Sequence, residues 1–255
     1  MTFRLFALTA LLALWAPPLS GQGAPSVALT HVSVVEVGTG RLQSNQTVVI
    51  NGGRIAAVGR TGSVPVPTGT MNVDATGKYL IPGLWDMHTH VVDPDMPGGP
   101  EVSFPLLVAN GITGIRDMGS SDLDSIIKLR GEVRAGTRLG PRILVAGKVL
   151  DGVPLVAPPD EWPARTPVEA RRAIDSLATR GVDFIKSYEM LQRDVFLAIV
   201  DRAKRHRLPL AAHVPLVIDA AEASDLGVWR PILPMSRVRV KPRGGRFVMV
   251  TARRR

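Results

Sequence analysis

The 255-residue sequence contains no cysteine, which removes disulfides from the forces that hold the fold and thiolates from the available metal ligands. Stability must come from a hydrophobic core, and any metal site must be built from histidine, carboxylate or a modified lysine. The lipid-carrying cysteine of a bacterial lipoprotein is missing too. Long apolar runs are also lacking: the most concentrated stretch, "LFALTALLALWA" at residues 5–16, is too short to span a bilayer. Acidic residues are absent after Val228. From there to Arg255 stand eight Arg, one Lys and no Asp or Glu, so this segment carries the whole net charge of +9. In residues 1–227 the other 22 basic residues balance 22 acidic ones, and the body of the chain is neutral.

The remaining composition is that of a globular protein, 45% apolar and 21% charged, which excludes bulk disorder. The length allows one large domain, or a large domain with a small companion. "MTFR", the apolar run and the small residues of "PPLSGQGA" follow the layout of a secretory signal peptide. Residues 1–23 are therefore expected to be cleaved, with the mature chain exported to the periplasm or the extracellular space.

Residues 24–80 read as β structure. "VALTHVSVVEV" and "QTVVINGGRIAAVG" are rich in β-branched residues, and Asn51-Gly52 supplies a hairpin turn. From Ile81 the period changes, and five short apolar strands alternate with helical segments. The strands are "GLWDMH" (83–88), "ITGIRDM" (112–118), "RILVAG" (142–147), "DFIKSY" (183–188) and "PLAAHV" (209–214). One helix is fully punctuated: Thr166 caps it, Pro167 takes the first turn, Glu169 completes a capping box and Gly181 ends it. The next, from Gln192 to about His206, gathers Val195, Phe196, Ile199, Val200 and Ala203 on one face. Such alternation specifies parallel strands, in an open α/β sheet or a (β/α)8 barrel.

Side chains two apart in a strand share a face, so His88 and His90 can approach one metal ion together. An H-x-H pair alone is equally compatible with two incidental histidines. The other strand ends add weight, because function in parallel α/β folds collects at the C-terminal ends of strands. Lys186 ends "DFIK" and His213 ends "PLAAH". His206 suits a basic helix C-terminus and His31 a structural place in the first β segment.

With these motifs in order, the chain resembles the amidohydrolase superfamily, in its exported branch of imidazolonepropionase-like and Xaa-Pro dipeptidase-like enzymes. "LIPGLWDMHTH", "GITGIRDMG", "GVDFIKSYEML" and "PLAAHVP…AAEASDLG" carry the resemblance, over about residues 27–227. It implies an α/β fold: a partial (β/α)8 TIM-type barrel over residues 81–227, about five of eight units, preceded by a small N-terminal β-sandwich segment. It also implies a divalent metal site, with two Zn ions held by His88, His90 and His213 and bridged by Lys186. An ammonium has no lone pair to offer, so Lys186 would serve only as its CO2 adduct, a carbamate. Tyr188 would reach the substrate, a small amide, cyclic amide or dipeptide. Asp86 and Asp117 would brace the site as hydrogen-bond acceptors.

The resemblance also calls for a strand-6 histidine and a strand-8 aspartate. After Gly227 the chain reads "VWRPILPMSRVRVKPRGGRFVMVTARRR", with no histidine and no carboxylate. A C-terminal truncation or frameshift after about Gly227 is the expectation, with residues 228–255 a basic tail outside the family. Three functional readings stand: a metal-dependent hydrolase of C–N bonds, a catalytically inactive fragment of one, and a module whose basic tail binds anions. The tail's aromatics are Trp229 and Phe247, and it matches no nucleic-acid-binding motif, so no specific nucleic-acid partner is expected. Oligomerisation is left open.

Overall fold

The computed structural model describes residues 26–92, 98–152 and 161–228, together with the backbone of two short strands near the C-terminus. The expected signal peptide and most of the basic tail lie outside the described residues. No helix among the described residues is long and apolar enough to cross a membrane. The chain divides into two units, Met1–Pro82 and Gly83–Arg255.

In the first unit, the β-branched runs form β1 (Val27–Glu36), β2 (Arg41–Asn51) and β3 (Arg54–Arg60), an antiparallel meander. Two short strands, β4 (Met71–Asp74) and β5 (Tyr79–Leu80), run parallel to successive parts of β1. The hairpin turn falls one residue later than the sequence suggests. Asn51 stays in the ladder opposite Arg54, and Gly52 and Gly53 take the turn at φ 56° and 73°. A two-residue turn of this hand needs positive φ at both positions, which glycine supplies without steric cost. Val32, Val48 and Ala75 form the buried centre. His31 sits at a bulge in β1 with φ 58°, 3.4 Å from Asp74, a structural place. Among the described residues this unit holds one five-stranded sheet and no second sheet facing it.

The second unit alternates strands and helices: β6 (Leu84–Thr89), α1 (Gly99–Ala109), β7 (Ile112–Asp117), α2 (Leu123–Ala135), β8 (Arg142–Val145), β9 (Val149–Asp151), β10 (Glu161–Pro163), α3 (Pro167–Thr179), β11 (Ile185–Ser187), α4 (Arg193–Arg205), β12 (Leu210–Ala212) and α5 (Ala220–Asp225). Within the tail, β13 (Val240–Arg243) and β14 (Arg246–Met249) pair as an antiparallel hairpin. From β6 to β12 every pairing is parallel, in the orders β6-β7-β8 and β10-β9-β11-β12. The stretch expected as one strand at 142–147 ends at Val145, and the chain resumes as β9 after Gly147 turns at φ 77°. Asp183 joins the two sheets: its N–H donates to the Val145 carbonyl (2.8 Å), and its Oδ2 accepts from the Val145 N–H (2.9 Å).

Strand alternation sorts the side chains. Ile115, Ile143, Val145, Ile185 and Leu210 pack into a core with the helices, where Ile174, Leu177, Phe196 and Ile199 meet them. Residues of the other parity, Met118, Ala146, Phe184 and Ala211, form a separate small cluster. Lys186 shares its parity with Phe184, so the backbone that buries Ile185 against helices turns Lys186 the other way.

The capped helix forms as its sequence requires. Thr166 accepts from the Glu169 N–H (3.2 Å), while the Glu169 carboxylate reaches back one residue further than a standard box, to the Arg165 N–H (2.8 Å). Helices α3 and α4 are clamped by Asp175, which accepts from Arg202 Nε (2.6 Å) and Nη2 (2.7 Å) and lies 2.6 Å from His206 Nε2. The Arg202 guanidinium, with His206, holds the Asp175 carboxyl down at about 2, below its usual 3.8. The clamp's contribution is therefore complete above pH ~4 and lost as pH falls through about 2. After solvent screening, Asp175→Asn is expected to cost about 1 kcal/mol or less at pH 7 and to flatten the acid limb of stability between those pH values, read by urea titration.

Candidate active site

The candidate site lies at the C-terminal ends of the parallel strands. β6 delivers His88 and, one residue past its end, His90; their ring centroids are 5.4 Å apart. β11 delivers Lys186, and His213 follows β12 directly. The backbone fixes each position. Asp86 Oδ1 accepts from the His88 N–H (3.0 Å), Asp117 Oδ2 from the Val91 N–H (3.0 Å), and the Ser187 carbonyl from the His213 N–H (3.0 Å). Both aspartates thus brace the main chain around the histidines.

The imidazoles are turned so as to leave a nitrogen free. His90 Nδ1 lies 3.1 Å from the Gly119 carbonyl, which can only accept, so Nδ1 is the protonated nitrogen and Nε2 keeps its lone pair. His213 Nδ1 faces Glu189 Oε2 at 3.7 Å, and Tyr188 stands edge-on against the His213 ring with centroids 4.6 Å apart. Burial, helped by the Lys186 and His88 charges, pushes His213 down to about 4. His88 is lowered too, by burial and then by Lys186, His90 and Arg116, against a partial offset from Asp86. The pair is therefore neutral at physiological pH, the state in which imidazole can ligate.

Lys186 is the outlier. It is fully buried, its Nζ has no hydrogen-bond partner, and it lies 5.0 Å from the centre of the Tyr188 ring. Burial and the nearby Arg116 guanidinium push it down to about 7. Arg116 is a site neighbour that sequence reasoning passes over. It is buried, donates from Nε to the Met87 carbonyl (2.9 Å) and stacks 5.4 Å from the Phe184 ring centre. An arginine inside the apolar run "ITGIRDM" is its only signal. Asp151 is passed over as well: buried and raised by that burial, it accepts from the Gly152 and Met190 N–H groups, each at 2.8 Å.

Among the described residues, no group of three or more His, Asp or Glu side chains is arranged to hold a metal by itself. The residues that could hold a cation are His88, His90 and His213, with Lys186 once its amine is modified. The imidazoles of His88 and His213 are held neutral, His90 presents Nε2, and an unpartnered buried amine stands within electrostatic reach of His88 and His213.

No family model matches the chain. A deacetylase of Agrobacterium fabrum is 34% identical over 99 residues, which is 37% of this chain and 23% of that protein. An adenine deaminase of Mesorhizobium japonicum is 44% identical over 57 residues, 22% of this chain and 9% of that protein. Among solved structures, a candidate prolidase from Bifidobacterium longum superposes with a TM-score of 0.67 and 28% identity, over 76% of this chain. These matches point to the amidohydrolase superfamily. The chain covers half of the prolidase structure, and its matched segments span less than a quarter of either curated relative.

Proposed function

We propose that this chain carries the metal-binding half of an amidohydrolase site, built on a partial (β/α)8 barrel, and that the complete site hydrolyses a C–N bond in a small amide, cyclic amide or dipeptide. The observation that carries the reading is Lys186: a buried amine with no hydrogen-bond partner, close enough to His88 and His213 to depress both. A lysine near 7 is largely the free amine at pH 8. Its nitrogen can attack CO2 and release a proton to solvent, and the resulting carbamate turns a repelling cation into an anionic ligand. His88, His90 and His213, with the Lys186 carbamate between them, would then hold two divalent ions such as Zn2+. When bound, these would supply Lewis acidity and an activated water.

The protein's own groups do the rest. The Gly119 carbonyl fixes the His90 tautomer, Glu189 orients His213, and Asp86 and Asp117 hold the β6 end in register. Tyr188, against His213 and Lys186, would contact a substrate entering over the strand ends. Export after cleavage of residues 1–23, and the boundaries 24–80 and 81–227 for the two domains, belong to the same reading.

The test is metal analysis and hydrolysis on one purified preparation. After chelation and reloading with zinc and bicarbonate, about two zinc ions per chain are expected. Intact mass should rise by one CO2, and cleavage of Xaa-Pro dipeptides or N-acetyl amino acids would show that this half of the site also turns over. His90→Ala should lower the zinc content by about one. Zinc without turnover would leave the ligands assigned and remove hydrolysis from this chain, and failure to bind zinc at all would sink the reading.

A further inference from the structure

At the opposite end of the same strands lies a cavity of about 460 Å³, whose walls include Arg130, Arg134, Arg142, Asp183, Val133 and Ile143. It falls in the size range of small-molecule sites. Arg142 opens β8 and Asp183 precedes β11, so the cavity is at the N-terminal strand ends, away from His90 and His213.

The charges around it do not cancel. Three guanidinium groups face one carboxylate, and that carboxylate is already committed. Asp183 Oδ2 takes both Arg130 Nη1 (2.7 Å) and the Val145 N–H (2.9 Å), while Arg130 also donates to the Gly181 carbonyl (2.9 Å). Arg130 is therefore a strut between α2 and the start of β11. Arg134 and Arg142 take part in none of the ion pairs found among the described residues. Arg134 stands in the last turn of α2, where the helix dipole favours a cation, but Arg142 has no such compensation. Two exposed guanidinium groups outside any ion pair, on one concave wall, raise the local positive potential, and a dianion suits it. Guanidinium forks suit phosphate oxygens, and a phosphomonoester carries nearly two charges near neutral pH. Val133 and Ile143 supply apolar wall beside the charged one.

We propose that this cavity is a binding site for a small phosphomonoester, with Arg134 and Arg142 taking the phosphate and the apolar wall taking its organic part. The site is independent of the metal reading and stands or falls without it.

Isothermal titration of the metal-free protein with phenyl phosphate, inorganic phosphate and benzoate tests it. Phenyl phosphate should bind one to a chain, more tightly than inorganic phosphate, which lacks the apolar part, and more tightly than benzoate, which lacks the second charge. R134Q/R142Q should weaken phenyl phosphate by about tenfold or more, as expected for lost charge-assisted hydrogen bonds. R134E alone, on the exposed end of α2, should do the same. R41Q/R54Q, which removes two exposed arginines from the other unit, should change affinity less than about twofold. Absence of saturable binding, or equal weakening by the two double variants, would overturn the site. Equal affinity for phenyl and inorganic phosphate would overturn its organic part, and equal affinity for benzoate would overturn the phosphate assignment.

Discussion

Lys186→Met is expected to make the metal-free protein more stable, by about 1–4 kcal/mol at pH 6, while abolishing its capacity to take up zinc. Methionine nearly matches the volume and reach of the lysine stem, so the buried position stays filled and only the cation goes. The pH dependence gives the prediction its sign. Lys186 titrates near 7 in the fold against about 10.5 in the unfolded chain, so the unfolded chain holds the extra proton between those values. Below about pH 7 the penalty of burying the charge is fully present, and wild-type stability should climb as pH rises from 7 toward 10.5. The variant should lack that climb, so the two denaturation profiles converge at high pH. Adding zinc and bicarbonate should reverse the order, because only the wild type gains a ligand-linked contribution. A variant no more stable than wild type at pH 6 would mean that the folded protein compensates the Lys186 charge.

Gly152→Ala is the second large effect expected. A Cβ at this position would lie 2.1 Å from the Met190 carbonyl oxygen and 2.7 Å from its carbon. Both are backbone atoms, so no side-chain rotation relieves the overlap. Nor is the backbone free to separate, because Asp151 Oδ1 holds the Gly152 and Met190 N–H groups together. The substitution should cost about 3 kcal/mol by chemical denaturation, the upper part of the range for overpacking. It should also displace Tyr188 and Glu189, which precede Met190, and so weaken zinc binding at His213 more than at the His88/His90 pair. Gly131→Ala serves as the contrast. It lies within α2, with open space where the added methyl group would stand and an ordinary φ, and should stabilise by roughly 0.5–1 kcal/mol. If both substitutions had small effects, the close approach of Gly152 to Met190 would not describe the protein in solution.

What can be read from sequence follows the range of each interaction. Thr166 and Glu169 announce a helix start because their partners are three and four residues away. His88 and His90 announce a shared face because strand periodicity is local, and their rings do come together. The five strands β6, β7, β8, β11 and β12 are legible for the same reason. Arg116 and Asp151 are not, because their partners Met87 and Met190 lie 29 and 39 residues away and nothing near them in the sequence encodes the meeting. The break between β8 and β9 is hidden because Gly147 sits in an otherwise strand-like run. The turn at Gly52–Gly53 reads one residue early because Asn51-Gly52 carries the same turn chemistry. The proposed ligand set comes from motif order, and the structure adds the reason Lys186 is singular: strand parity carries it away from the helix-packed core, and burial lowers its hold on the proton.

The order of the parallel strands bears on how the second unit comes into being. β7 pairs with β6, β8 with β7, β10 and β11 with β9, and β12 with β11, so apart from β9, which opens the second sheet, each new strand lies beside one already laid down. A chain emerging N-terminus first can extend each sheet strand by strand as it appears. Within each sheet the order of synthesis can then be the order of assembly, and the last of the parallel strands, β12, brings His213 after His88 and His90 have been laid down.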